Sequence, residues 1–279
     1  MKYEYDLHIH TTASDGVLTP QEVIDKAVEF GLKGIAISDH DTVAGLEKAR
    51  QYLNTTSYCL DFIPAVELNT EAEKEEVHIL GYFIDPQNAA LNQRLQDIRI
   101  SRYHRSEQMV SRLQEAGLKI NFTQVKELAQ GESIGRPHVA RALINNNYVA
   151  SIDEAFEKYI GWGAPGYVPR YKFLPAEAIE LIKNAGGIAV LAHPGLIKNK
   201  KKVLDIINLG IEGLEVFYPE HSPEQIEELL RLARRYHLLL TGGSDYHGPG
   251  GAESRANMGS AGVSKKLADQ LYTYLNFRE

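Results

Sequence analysis

Short apolar strands alternating with amphipathic helices constrain this chain more tightly than any other feature. Apolar runs at residues 3–9, 34–38 and 62–68 are separated by two helical stretches. The first helix, 20–30, is well signalled: Thr19 can cap it, Pro20 suits its first turn, Glu22 completes a capping box and Gly31 can stop it. The rhythm returns after residue 171, with helix 175–185, strand 188–192, a helix, strand 213–217, helix 223–236 and strand 238–241. Such alternation predicts a parallel α/β domain. Between residues 88 and 159 the strand signals disappear, and a long polar helical stretch over 91–116 is followed by shorter helical pieces. The expected organisation is therefore a barrel-like domain made of 1–87 and 171–279, with a helical insertion over 88–170. Residues 161–166 (Gly-Trp-Gly-Ala-Pro-Gly) match GxGxxG literally, but no strand precedes them and Pro165 interrupts them, so they read as a connection.

Of the chain's 279 residues 43% are hydrophobic, enough to bury a sizeable core. The formal net charge of −7 argues against coating long duplex nucleic acid, while leaving room for a local cationic pocket. No run of about 18 apolar residues is present, and the N-terminus enters a strand pattern directly, so the expectation is a soluble cytoplasmic protein without a membrane role. The single cysteine, Cys59, excludes an internal disulfide and a four-cysteine zinc module; it is expected to be a buried structural thiol.

Imidazoles and carboxylates gather where the strands end. Asp6-Leu7-His8-Ile9-His10 closes the first strand, Ser38-Asp39-His40-Asp41 the second, Glu67 the third, His193-Pro194 a later one and Ser244-Asp245-Tyr246-His247 the last. In parallel barrels the loops after the strands build the active site. His8 and His10, two apart on a strand, face the same way, and Asp15 follows in the polar turn 11–16. Nitrogen and oxygen donors without thiolates suit Zn, Mn or Fe. A lone strand-end histidine is usually structural; so many together point to a metal cluster. His78 sits at the start of an apolar run rather than its end, so position argues for it least. Asp39 and Asp41 flank a ligand, and either could orient an imidazole from behind. His104, His221 and His237 have no sequence partners and receive no role.

The set His8-x-His10, Asp15, Ser38-Asp39-His40-Asp41, Glu67, His78, His193-Pro194 and Asp245-x-His247 resembles the polymerase-and-histidinol-phosphatase (PHP) family across nearly the whole chain. The resemblance implies a distorted seven-stranded (βα) barrel and three divalent ions, Mn2+ foremost, with Fe2+ or Zn2+ as alternatives. It implies one ion on His8, His10, Glu67 and Asp245, a second on Glu67, His78 and His193, and a third on Asp15, His40 and His247, with Glu67 bridging. His193, Glu67 and Asp245 are the expected catalytic residues. Three ions against three carboxylates would leave about three positive charges, a trap for phosphate. A divalent ion lowers the pKa of its water toward about 7, so a hydroxide can attack phosphorus.

The insertion and Gly135-Arg136-Pro137-His138 resemble the branch of nucleoside 3′,5′-bisphosphate phosphatases, some of which trim short oligonucleotides from the 5′ end. Arg136, His138 and Arg170 are the expected contacts to a second phosphate, since a guanidinium offers parallel donors. The partner implied is thus a phosphorylated small molecule, a nucleotide or short oligonucleotide. A histidinol-phosphate phosphatase would share every ligand. A metal-dependent amidohydrolase would not need Asp15, His40 and His247, and a non-catalytic nucleotide-binding module would not need the set intact. The run 198–202 (Lys-Asn-Lys-Lys-Lys) reads as a solvated helix start.

Overall fold

A computed structural model describes residues 3–73, 75–129, 133–169, 172–249 and 256–277. The first part contains β1 (Tyr5–Ile9), α1 (Pro20–Glu29), β2 (Gly34–Ile37), α2 (Ala44–Thr55), β3 (Asp61–Ala72) and β4 (Glu75–Tyr82). Then come α3 (Ala89–Glu115), α4 (Phe122–Leu128), α5 (Arg136–Asn145), α6 (Ile152–Ala155) and a π-helical turn, Phe156–Ile160. The last part holds α7 (Pro175–Asn184), β5 (Ile188–Leu191), α8 (Lys200–Asn208), β6 (Gly213–Phe217), α9 (Pro223–Tyr236), β7 (Leu239–Gly242) and α10 (Lys265–Asn276). The capping box of α1 forms as its sequence predicts: the Glu22 N–H donates to Thr19 Oγ1, and Glu22 accepts in return from the Thr19 N–H.

The seven strands hydrogen-bond in chain order. β1 is bridged to the segment after β7 by Ile9 and Tyr246, where the His10 N–H donates to the Tyr246 carbonyl at 2.9 Å, so the sheet curls into a nearly closed barrel. The expected all-parallel sheet needs one correction: β4 runs antiparallel to both β3 and β5. A short hairpin joins β3 to β4, and a tight connection can only reverse direction, whereas a parallel pair needs a long crossover. That reversal brings the start of β4, and His78 with it, to the mouth where the parallel strands end.

Period-two alternation divides the apolar residues between two cores. Ile63 and Ala65 of β3, and Leu80 and Tyr82 of β4, join Val190 of β5 and Leu271 of α10 in one cluster. On the same faces, one step further along, stand Glu67 and His78. The alternate residues Val66, Leu68, Val77 and Ile79 pack with Val23 and Ile24 of α1 and Ile179 and Ile182 of α7. Helix α3 belongs to two cores: Leu91, Leu95 and Ile98 pack in the barrel's outer layer, while Met109, Val110 and Leu113 pack with Val139 and Leu143 of α5. Burying each such side chain contributes roughly 1.5–3 kcal/mol, so the helical layer is rooted in the barrel through its first helix.

Two smaller expectations change. Cys59 is exposed, in the connection before β3, rather than buried. Lys202 is buried instead of solvated, its ammonium donating to the Ala72 carbonyl at 2.9 Å and pairing with Glu75 at 3.0 Å. Among the described residues no helix is long and apolar enough to cross a membrane.

Candidate metal centre

Nine side chains from separate strands and loops converge at the barrel mouth. Glu67 is the hub: its Oε1 lies 2.8 Å from His78 Nδ1 and 3.3 Å from His193 Nε2. Its Oε2 lies 2.8 Å from His40 Nδ1 and 3.3 Å from both His8 Nε2 and His10 Nε2. Asp245 Oδ1 stands 3.3 Å from His8 Nε2 and 3.1 Å from His10 Nε2. Asp15 faces His247 Nε2 at 3.4 Å and His40 Nε2 at 3.8 Å.

The donor atoms fall into three overlapping groups whose members lie within 4.8 Å of one another: His8, His10, Glu67, Asp245; His40, Glu67, His78; and His10, Asp15, His40, His247. The first coincides with an expected ion set. In the second His40 stands with Glu67 and His78, while His193 approaches through Glu67, its ring centroid 5.0 Å from that of His78. In the third His10 joins Asp15, His40 and His247, its ring stacked on that of His247 at 4.1 Å.

These side chains fit cations. They are almost wholly buried, yet His8 Nε2, both His10 ring nitrogens, both Asp15 carboxylate oxygens, His40 Nδ1, Glu67 Oε2 and Asp245 Oδ1 make no hydrogen bond of good geometry. Unsatisfied buried polar atoms are costly. An ion satisfies many at once, and imidazole nitrogens with carboxylate oxygens are the donors borderline divalent metals take.

The protonation pattern agrees. Burial disfavours charge on His8 and His78, but the carboxylates win: Asp245, Glu215 and Glu67 hold His8 well above its usual value, and Glu67 with Glu76 raises His78 to about 10. Burial also disfavours charge on Asp15, Glu67 and Asp245, yet the surrounding imidazoles hold all three well below the usual carboxylate range. Without ions, protons stand where cations would bind.

Local backbone supports the array. His193 (φ 29°) and Asp245 (φ 53°) take left-handed conformations that cost a non-glycine residue about 1 kcal/mol or more, and such strain gathers at functional sites. The buried Glu215 of β6 holds two of the clustered histidines at once, its Oε1 2.9 Å from His8 Nδ1 and its Oε2 accepting the His193 N–H at 2.7 Å. Glu215 therefore fixes which nitrogen His8 turns inward. That is the task expected of Asp39 or Asp41. Asp39 instead accepts from the Thr11 N–H, Thr11 Oγ1 and Ser14 Oγ, bracing the turn that carries Asp15. Asp41 pairs with Arg102 and accepts from Asn69. Tyr218 donates its hydroxyl to Asp245 Oδ2 at 3.0 Å, and burial beside that carboxylate keeps the phenol protonated. His221 is structural: Nδ1–H donates to the Val216 carbonyl and Nε2 accepts the Gly195 N–H.

Beside the centre a cleft opens, lined by Asp15, His40 and His78 together with Arg102, Arg105, Arg136 and Phe156. Arg136 pairs with Glu76, whose other oxygen lies 3.2 Å from His78 Nε2, and its guanidinium sits 4.9 Å from the Phe156 ring. His138 does not line this cleft. It is buried, its Nδ1 accepts the Gly135 N–H at 3.1 Å, and burial together with Arg141 and Arg102 pushes it down to about 4, so it is neutral. Arg170 lies outside the described residues.

The PHP domain family matches residues 6–240. The chain belongs to the PHP family. Among its PHP relatives, the 5′-3′ exoribonuclease Rnm of Escherichia coli is 37% identical over 250 residues, 88% of this chain and 85% of its own. The 3′,5′-nucleoside bisphosphate phosphatase of Chromobacterium violaceum is 36% identical over 251 residues, 88% of this chain and 87% of its own. A solved structure from Bifidobacterium adolescentis, assigned as a metal-dependent phosphoesterase, aligns at a TM-score of 0.87 and 31% identity, covering 96% of this chain and 95% of the other. This PHP chain is thus a hydrolase of the metal-dependent phosphoesterase class.

Proposed function

We propose that this enzyme removes a phosphate from nucleoside 3′,5′-bisphosphates, releasing the nucleoside 5′-monophosphate, and trims short 5′-phosphorylated oligonucleotides. It would use three divalent ions, with manganese first and Fe2+ or Zn2+ as alternatives. His8, His10, Glu67 and Asp245 would hold one ion, Glu67, His78 and His193 a second, and Asp15, His40 and His247, joined by His10, a third.

The observation that carries this reading is that the cleft reaching His40, His78 and Asp15 is also lined by Arg102, Arg105 and Arg136 and by the aromatic side chain of Phe156. A substrate with two phosphates and a flat base meets complementary surface at each part; histidinol phosphate, with one phosphate, leaves the arginine wall unused. The names of the Escherichia coli and Chromobacterium violaceum relatives favour the same substrate class.

Bound divalent ions supply a hydroxide nucleophile at neutral pH and neutralise the phosphate oxygens. The protein's own groups do the positioning. Asp245, His78 and His193 keep 14–19% side-chain exposure, so they face the incoming phosphate, while His8 and His10 stay behind them. Glu215 prevents rotation of His8, and Tyr218 fixes one oxygen of Asp245 while the other turns toward the histidines. The arginine wall would hold the phosphate that is not cleaved, in the bidentate geometry guanidinium offers.

Replacing Arg136 by alanine removes a charged donor from that wall, and hydrogen bonds to charged groups are worth about 1.5–3 kcal/mol. The expected result is a KM for adenosine 3′,5′-bisphosphate raised roughly 10- to 100-fold, against a few-fold for AMP. Equal effects on both substrates, in steady-state phosphate release, would remove Arg136 from substrate recognition.

A further inference from the structure

Two arginines reach from the helical layer back to the residues around Asp15 and His40. Arg141 of α5 donates Nη2 to the main-chain carbonyl of Asp15 at 2.6 Å. Arg102 of α3 pairs with the buried carboxylate of Asp41, the residue after His40, and donates Nε to the Ile134 carbonyl at 3.1 Å, just before α5. Asp41 has a left-handed backbone (φ 52°) and accepts from both the Asn69 N–H at 3.0 Å and Asn69 Nδ2 at 3.1 Å. The turn bearing Asp15 is therefore gripped from two sides: by Asp39 of the barrel through Thr11 and Ser14, and by Arg141 of the helical layer.

The other expected ligands are placed differently. His8, Glu67 and His78 sit on β1, β3 and β4, His10 directly follows β1 with its N–H donating to the Tyr246 carbonyl, and His193 follows β5, with its N–H held by Glu215 of β6. Their backbone is fixed by barrel hydrogen bonds. Asp15 lies in a loop whose carbonyl is satisfied by the helical layer, and a displacement of that carbonyl carries the carboxylate with it.

We infer that docking of the helical layer onto the barrel completes the ion set of His10, Asp15, His40 and His247, with Arg141 and Arg102 as positioning residues. The backbone of Asp15 in that set is then held from α5 and the residue after His40 from α3, whereas the strands themselves fix the backbone of His8, Glu67 and His78. This rests on the reading that these four residues hold an ion. Coupling of this kind is reciprocal: if docking tightens the ion, the ion tightens docking. The cleft that receives substrate lies between the same two layers, so a substrate drawing them together also secures the ion beside it.

The test uses the full chain, stripped with a chelator and titrated with Mn2+ alone. Stoichiometry is read by elemental analysis after gel filtration, affinity by calorimetry and helix docking by amide hydrogen exchange. Wild type is expected to bind three equivalents, and exchange in α5 is expected to slow as the last one binds. Arg141→Met should keep two ions at wild-type affinity and bind the third at least tenfold more weakly, while Arg141→Lys, whose ammonium can reach the same carbonyl, should recover most of the loss. Three ions at wild-type affinities in a folded Arg141→Met would overturn the inference, as would α5 exchange indifferent to metal in wild type, an arm that stands even if the variant fails to fold. Wild type binding only two ions would instead overturn the three-ion reading beneath it.

Discussion

Glu67→Gln is expected to lower kcat/KM for phosphate release by at least roughly a thousandfold, about 4 kcal/mol of transition-state stabilisation, while the chain keeps its fold. The substitution is isosteric and leaves the β3 backbone in place. It removes a carboxylate whose two oxygens together approach five imidazoles, those of His8, His10, His40, His78 and His193. A neutral amide offers its oxygen to one side only and turns an NH2 group toward the other, where a cation would stand. Metal content should fall along with activity, because two of the three donor groups include Glu67. Elemental analysis alongside steady-state kinetics checks both. A loss below tenfold with unchanged metal content would mean that Glu67 is a structural acceptor for the histidines and not the hub of the centre.

The second large effect is thermal and depends on pH. An ion present at a hundredfold over its Kd stabilises the native state by about 2.7 kcal/mol. Chelation of even one ion should therefore lower the melting midpoint of a chain this size by roughly 5–10 °C at pH 8. The gap should narrow toward pH 5, because the ions need neutral imidazoles while His8 and His78 retain their protons to high pH when metal is absent. The sign for the stripped protein follows from the shifts. Raised histidines contribute stability that is fully present below their unfolded value of about 6.5 and lost as pH rises through the folded values, about 10 for His78. The depressed carboxylates Asp15, Glu67 and Asp245 contribute stability present above their unfolded values of about 4 and lost as pH falls through the folded ones. The stripped chain should thus be at its most stable between about pH 4.5 and 6.5 and the metal-loaded chain at higher pH. Scanning fluorimetry from pH 5 to 9, with and without chelator, reads this directly. Equal midpoints at every pH would argue that the cluster is satisfied by protons alone.

The convergence of the strand-end side chains is legible in the sequence because a parallel strand delivers its last residue to a predictable place. His8, His10, His40, Glu67, His193, Asp245 and His247 are picked out by that rule, and Asp15 by the polar turn after the first strand. His78 is not, since its position makes sense only once β4 is known to run backwards, and strand direction depends on the connections rather than on the strand's own residues. Glu215 does carry a signal in the sequence: a carboxylate in the middle of Gly213–Phe217, an apolar strand, belongs to the residue types almost never fully buried unless paired. The roles of Arg102 and Arg141 were beyond reach, because sequence spacing says nothing of which helix face meets a loop some 60 or 126 residues away. Lys202 shows the same limit in miniature, since a basic run looks solvated until a neighbouring hairpin offers carbonyls.

The most direct measurement is phosphate release by manganese-loaded protein from adenosine 3′,5′-bisphosphate, AMP, a short 5′-phosphorylated oligonucleotide and histidinol phosphate, with His193→Ala run beside wild type. The expected result is preference for the bisphosphate and the oligonucleotide, with both activities lost in the variant. Preference for histidinol phosphate, or no release from any of the four with Mn2+, Fe2+ or Zn2+, would contradict it.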